Sequence, residues 1–334
     1  MSTYQGIRGL KVRDYTTNPD DPLEGQLWYN KTDQVGKYQI PNVVASWRTD
    51  ANMNTARTYP GGAGVSTAAL AFGGLIDPPE TFYNNTESYN GTSWTEVNNL
   101  NTARFNADGI GVSYTAALLA GGRASPGGVA ITESWDGTNW TEVNDLNTAK
   151  RSCGGAGTNT SALAFGGINP GVDNFATTET WDGTNWTEVS DLNTGRYALR
   201  GSGSTNTAVI AIGGRIPGTP NNTGKTELWD GTSWTEVSDL NTSRFDAGSS
   251  KGIYTNAMLI GGYAPPGFFA NVEIWNGSSW TETTDLSTAK AELGGAGIGT
   301  AAIAFGGKTP PSSNSATTEV FSSPTTNTVT FTVS

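Results

Sequence analysis

Histidine is absent from all 334 residues. That removes the commonest general acid–base and the commonest metal ligand from any mechanism written for this chain. A Ser-His-Asp nucleophile has no base. Cysteine occurs once, at Cys153, so no disulfide can close within the chain. Charge is scarce and lopsided: charged residues make up 15%, and the formal net charge is −11. Such a chain repels phosphate backbones, which argues against nucleic acid as a partner. No stretch approaches the ~18–20 unbroken apolar residues of a spanning helix, so no membrane insertion is expected. Met1 to Leu10 lack the basic-then-apolar order of a secretory signal.

Glycine is abundant, at 44 residues, and Trp, Tyr and Phe number 11 each. Their placement is periodic. Trp-Thr-Glu recurs at Trp94, Trp140, Trp186, Trp234 and Trp280, with a degraded copy at Trp47. Gly-Gly doublets begin at 73, 121, 166, 213, 261 and 306, so successive doublets lie 48, 45, 47, 48 and 45 residues apart. Each of the six units opens on a basic residue: Arg57, Arg104, Lys150, Arg196, Arg244 and Lys290. A Gly/Ala-rich stretch follows, then a short apolar run into Gly-Gly, a loop of changing composition, and "TESWDGTNWTEV" or a close variant.

Short apolar runs bounded by turn residues suit buried strands. The Thr-, Val- and Trp-rich pieces alternate in polarity, and the Asp-Gly between them is hairpin chemistry. Each unit therefore reads as four strands, and no segment sustains a helical period. Six four-stranded units of this size predict an all-β fold, a six-bladed β-propeller of antiparallel blades. Gly-Gly after an apolar strand, then an aromatic (Tyr89, Trp135, Trp181, Trp229, Trp275, Phe321) and a Trp a few residues on, resembles the kelch motif over roughly residues 42–321. The spacer between the two aromatics is shorter here than in common kelch repeats.

The sixth unit has no following Trp-Thr-Glu, while an unpaired strand around Trp47 lies at the other end. The expectation is that Val43 to Thr49 close the ring as the outer strand of blade six, covering an open edge. The alternating "TVTFTVS" of Val329, Phe331 and Val333 competes for that slot. This divides the chain into a segment 1–40, a propeller 41–321 and a C-terminal strand or tail 322–334. In the first segment, Gly25, Leu27, Trp28, Tyr29, Asn30, Lys37 and Tyr38 resemble the short modules of bacteriophage tail-fibre and other appendage proteins. The resemblance implies a virion protein attached to other virion proteins through Leu27, Trp28, Tyr29 and Tyr38.

Residues present in every unit read first as fold requirements. The tryptophans serve as wedges between blades rather than sugar platforms. The basic residues form a charge ring neutralised by Glu87, Glu133, Glu179, Glu227, Glu273 and Glu319 rather than an anion site. Cys153 reads as a buried inert thiol. Asp136-Gly137, Asp182-Gly183 and Asp230-Gly231 are similar to the Asp-box of sialidases less one spacer; they read as turns, with too few ligands for calcium. Asp108 and Asp246 are non-repeated acids that nothing marks as catalytic. A propeller glycosidase needs paired carboxylates outside the repeat, and a kelch-type copper oxidase needs histidine. No catalytic residue, metal or cofactor is expected.

What varies is the loop after each Gly-Gly. These loops carry Phe82, Tyr83, Arg123, Phe175, Arg215, Tyr263, Phe268, Phe269 and Lys308, the candidate binding residues. Loops on a rigid scaffold are where recognition resides, and aromatics anchor partners. The reading is a non-catalytic virion component, of fibre or decoration type, whose propeller binds a host-surface glycan or another virion protein, with homo-oligomers allowed. Two alternatives stand: a bacterial kelch-like scaffold in the cytoplasm or at the cell surface, and a propeller enzyme acting on glycans.

Overall fold

A computed structural model describes residues 13–19, 26–39, 45–168, 175–218, 222–323 and 328–331. The chain divides into two compact units, Ser46–Ser322 and a smaller one made of Met1–Ala45 with Ser323–Ser334.

The large unit contains six four-stranded antiparallel sheets. In the first repeat the strands are Gly61–Val65, Ala68–Phe72, Thr86–Tyr89 and Trp94–Val97, paired in chain order. The next three repeats copy this plan. The fifth keeps the order, but its second and third strands lengthen to Met258–Ala264 and Gly267–Trp275. The sixth takes Gly294–Ile298, Ala301–Phe305 and Thr318–Ser322 from its own sequence. Its fourth strand is Ser46–Asp50, with Trp47 opposite Phe321. Thr328–Phe331, the competing candidate, pairs instead with Val35–Gln39 in the small unit. The fold is thus all-β and propeller-like in its repeated sheets.

The core lies between sheets. Leu70 and Phe72 of the first repeat pack with Leu119, Trp135 and Trp140 of the second, and the third and fourth repeats share a cluster in the same way. Each fourth-strand Trp wedges against the sheet before it. Trp140 meets Phe72 edge-on at 4.9 Å, and Trp94 meets Phe305 at 5.1 Å. Burying a ring of this size removes about 150–250 Å² from water, provided the indole N–H finds an acceptor. It does: Trp140 Nε1 donates to Thr86 Oγ1 at 2.9 Å, and Trp94, Trp186, Trp234 and Trp280 repeat the bond to Thr318, Thr132, Thr178 and Thr226. The equivalent hydroxyl for Trp47 is missing, because that position is Val272. Trp47 donates to the Thr284 carbonyl at 3.0 Å and stays half-buried.

First strands neighbour one another in repeat order, and Gly294–Ile298 of the last lies beside Gly61–Val65 of the first. Glycine permits this approach: a Cβ on Gly109 would strike the Gly62 backbone, and one on Gly62 would strike the Gly295 carbonyl.

The small unit is a four-stranded sheet in the order Arg13–Tyr15, Leu27–Asn30, Val35–Gln39, Thr328–Phe331, with the first pair parallel. The expected hairpin is present. Asn30 Oδ1 accepts the N–H groups of Thr32 and Asp33 across its turn, and Lys37 Nζ reaches Asp33 at 2.6 Å and Asn18 at 3.0 Å. Gly25 lies outside the described residues.

Candidate binding face

Antiparallel pairing gives the six sheets two ends. One end carries the connections from second to third strand and from fourth strand to the next repeat, and there the repeated polar residues are consumed internally. Arg57–Glu87 and Lys150–Glu179 pair at 3.0 Å, Lys290–Glu319 at 3.2 Å, and Arg104–Glu133, Arg196–Glu227 and Arg244–Glu273 are closer still. All twelve side chains are at most 2% exposed. A buried ion pair is tolerable only if its other lone pairs are satisfied. The "LNT" turn does this: Glu133 also accepts the Asn101 N–H at 2.7 Å, the Asn101 amide at 2.8 Å and the Thr102 N–H at 3.3 Å. Burial draws the Arg104, Arg196 and Arg244 guanidinium groups below their ordinary pKa, opposed by each glutamate. Where lysine replaces arginine, a threonine supplies a partner: Lys150 Nζ to Thr177 Oγ1 at 3.3 Å and Lys290 Nζ to Thr317 Oγ1 at 2.8 Å. The "LNT" partner was not anticipated, although its recurrence in four of the six turns, with Met53-Asn54-Thr55 and Leu286-Ser287-Thr288 as variants, was the signal.

Two residues after each basic residue the backbone turns left-handed, at Tyr59, Asn106, Ser152, Ala198, Asp246 and Glu292, with φ between 50° and 60°. These residues hydrogen-bond from repeat to repeat. Ser152, Ala198, Asp246 and Glu292 each donate their N–H to the carbonyl of the equivalent residue one repeat earlier, and the Tyr59 N–H reaches the Glu292 carbonyl at 2.6 Å. Side chains of this series meet as well: Tyr59 Oη donates to Asp246 Oδ2 at 3.1 Å. Burial, then the Asp246 charge, pushes the Glu292 carboxyl up to about 7. Burial raises Asp246 too, against the pull of Arg200.

Deeper among the first strands lie three bulky residues where other repeats have glycine: Asp108, Arg200 and Lys251. Lys251 pairs with Asp108, whose Oδ2 also accepts the N–H of Gly201 at 3.0 Å and of Gly155 at 3.3 Å. Arg200 Nε donates to the Ala247 carbonyl at 2.5 Å. Four repeats are joined through one carboxylate. The cavity beside Asp108, Arg200 and Tyr59 measures about 10 Å³, the room of a single water.

Outside this series lie the loop residues, in two groups. The Arg123 guanidinium sits 5.7 Å from the Phe82 ring and 5.5 Å from Phe105, and Nη1 pairs with Glu80 at 2.8 Å. In the second group, Arg215 lies 5.8 Å from the Tyr197 ring and 5.0 Å from Phe245. Phe175 packs on Tyr197, and Tyr263 bridges Phe245 and Phe268. Lys308 stands apart, 3.5 Å from Asp77. Tyr83, Phe175 and Phe269 share one position, where the carbonyl accepts the N–H of the basic residue opening the next repeat. None of these loop rings is fully exposed; all are half-buried. Phe105, Tyr197 and Phe245, which assemble both groups, were missed. They follow Arg104, Arg196 and Arg244 at one offset, a signal carried by three of six repeats. Parts of the third and fourth loops, residues 169–174 and 219–221, lie outside the described residues.

Of the four attachment candidates, Trp28 is 1% exposed. Leu27 and Tyr29 are half-buried, and the Tyr38 backbone pairs with Leu27 and Val329. Cys153 is buried, and burial lifts its thiol to about 11. No protein-family model matches the chain, and no curated protein matches it.

Proposed function

We propose that the six sheets are the blades of a closed, kelch-like β-propeller, completed by Ser46–Asp50, and that the chain is a non-catalytic structural and binding component of a bacteriophage virion. Closure is supported by the Tyr59–Glu292 backbone bond and by the place of Ser46–Asp50 beside Thr318–Ser322. One observation carries the binding role. The repeated basic and acidic residues at the loop end are paired with one another inside the sheets, while the residues that differ between repeats gather there nearer the surface. A rigid frame with a variable rim is the architecture of recognition. The resemblance of the Leu27–Tyr38 segment to appendage modules supports the virion setting, with that segment joined to other virion proteins and the rim turned toward a host-surface glycan.

A glycan array probed with the whole chain tests the reading. Binding by the wild type should drop at least about tenfold in a Phe268→Ala/Arg215→Ala variant, a loss of about 1.4 kcal/mol. Undiminished binding by a folded variant would remove the rim from the proposal. Absence of the chain from purified particles of a phage encoding it would remove the virion.

A further inference from the structure

Three large hydrophobic side chains are exposed among the described residues, Val65 at 44%, Tyr114 at 43% and Ile253 at 49%. All three lie on turns between first and second strands, at the end of the sheets opposite the variable loops. They occupy repeats one, two and five, and the sixth adds the half-buried Ile298. These repeats are neighbours: the first strand of the sixth lies between those of the fifth and the first. The turns also touch. The N–H groups of Lys251 and Gly252 donate to the Gly297 carbonyl at 2.9 and 3.0 Å, and a Cβ on Gly64 would lie 3.2 Å from the Tyr114 nitrogen. The apolar residues thus form one arc. Repeats three and four carry Thr158-Asn159 and Thr205-Asn206 at the same positions.

The outer turns of the same end, between third and fourth strands, divide one repeat out of step: repeat two, apolar at Tyr114 on its inner turn, carries Asp136 on its outer turn. Repeats one and five have neutral Asn90 and Asn276, while repeats two, three and four have Asp136, Asp182 and Asp230, all exposed. Each outer turn sits on its inner turn; a Cβ on Gly137 would lie 3.3 Å from the Thr115 carbonyl. Turn N–H groups hold the carboxyls of Asp136 and Asp182 below the ordinary range, so they are ionised at neutral pH. The outer turns carry no lysine or arginine, and the one lysine of the inner turns, Lys251, is buried against Asp108. The end is amphipathic: the apolar arc runs over repeats five, six, one and two, and the carboxylates stand over repeats two, three and four.

We propose that this end is a docking surface for a protein partner that presents apolar side chains flanked by lysine or arginine. Isolated exposed hydrophobics need no explanation, but a contiguous group marks an interaction site. The anionic side selects a cationic partner and disfavours a second copy of the chain, since like charges across an interface are repelled. Ser46 and Ser322, where the large unit begins and ends, pair with each other at this same end. The surface is separate from the variable rim and does not rest on the function proposed above.

The test uses the whole chain and two fluorescent amphipathic peptides of matched length, one patterned with leucine and lysine, the other with leucine and glutamate. Two variants borrow side chains already present in other repeats: Val65→Thr/Tyr114→Asn/Ile298→Thr and Asp136→Asn/Asp182→Asn/Asp230→Asn. Both should keep the wild-type urea midpoint. The leucine–lysine peptide should bind wild type at least about tenfold more tightly than the leucine–glutamate peptide. The apolar variant should lose about tenfold, and the Asp variant several-fold with a flatter salt dependence. Equal binding by wild type and the apolar variant overturns the proposal. So does self-association, measured by sedimentation, that the apolar variant abolishes, because the occupant is then a second copy.

Discussion

Replacing Glu133 with Gln probes the energetics of the repeat most directly. Its carboxylate and the Arg104 guanidinium are 0% exposed. The charge is balanced by Arg104, and its remaining lone pairs by Asn101 and Thr102. Glutamine keeps the shape but leaves a buried guanidinium without a counter-charge and turns an amide N–H₂ toward existing donors. Breaking a buried pair in this way costs about 3–5 kcal/mol, a large share of the roughly 5–15 kcal/mol that holds a domain together. The exposed pair Lys225–Glu236, at 2.5 Å, is the control, and Glu236→Gln should cost no more than about 1 kcal/mol. Urea unfolding followed by tryptophan fluorescence reads both. Arg104→Lys keeps the charge and should cost less than Glu133→Gln. Adding Ile131→Thr, which copies the Lys150–Thr177 arrangement, should recover part of that loss. If Glu133→Gln costs no more than Glu236→Gln, the pair is hydrated in solution and the account of the repeated turn is wrong.

Two further outcomes follow from the non-repeated charges. Glu292 titrates near 7 in the folded chain against 4.5 ordinarily, so between those values the folded state holds the extra proton. Stability should fall as pH rises through that window, by at most about 1.4 kcal/mol per unit. Glu292→Gln should flatten this slope, and an unchanged slope in melts across the window would assign it elsewhere. Asp108→Asn strands the Lys251 ammonium, which burial already draws below its ordinary pKa. It should cost about 3–5 kcal/mol, with Asp108→Asn/Lys251→Met costing less; equal losses in urea melts would show that the ammonium is not what suffers.

Much of the scaffold can be read from the chain because it is written six times. The tryptophans, the doublets such as Gly73-Gly74 and the basic–acidic pairs each recur at one offset, and a demand that the backbone makes in every sheet must appear in every unit. The interactions that occur once are harder to see. Asp108 and Lys251 are 143 residues apart, and only the meeting of first strands brings them together. The left-handed positions were hidden because Tyr59, Ser152, Ala198 and Glu292 are not residues that favour that conformation; bonds between repeats hold them there. The rim was legible as variation, but the packing of Arg215 between Tyr197 and Phe245 required knowing that consecutive repeats lie side by side.

Ser46–Asp50 completes a sheet whose other strands end at Ser322. On the ribosome that segment is made before its partners and waits while residues 51–317 follow, roughly 13–53 s at ordinary elongation rates. Throughout that interval Trp47 has no third strand to lie against, and the nascent chain carries an unpaired adhesive ribbon. A transcript cut short before Thr318 would leave the ribbon permanently unmatched, free to seek the equivalent gap in a neighbouring molecule. Covering that edge within one molecule therefore requires synthesis through Ser322.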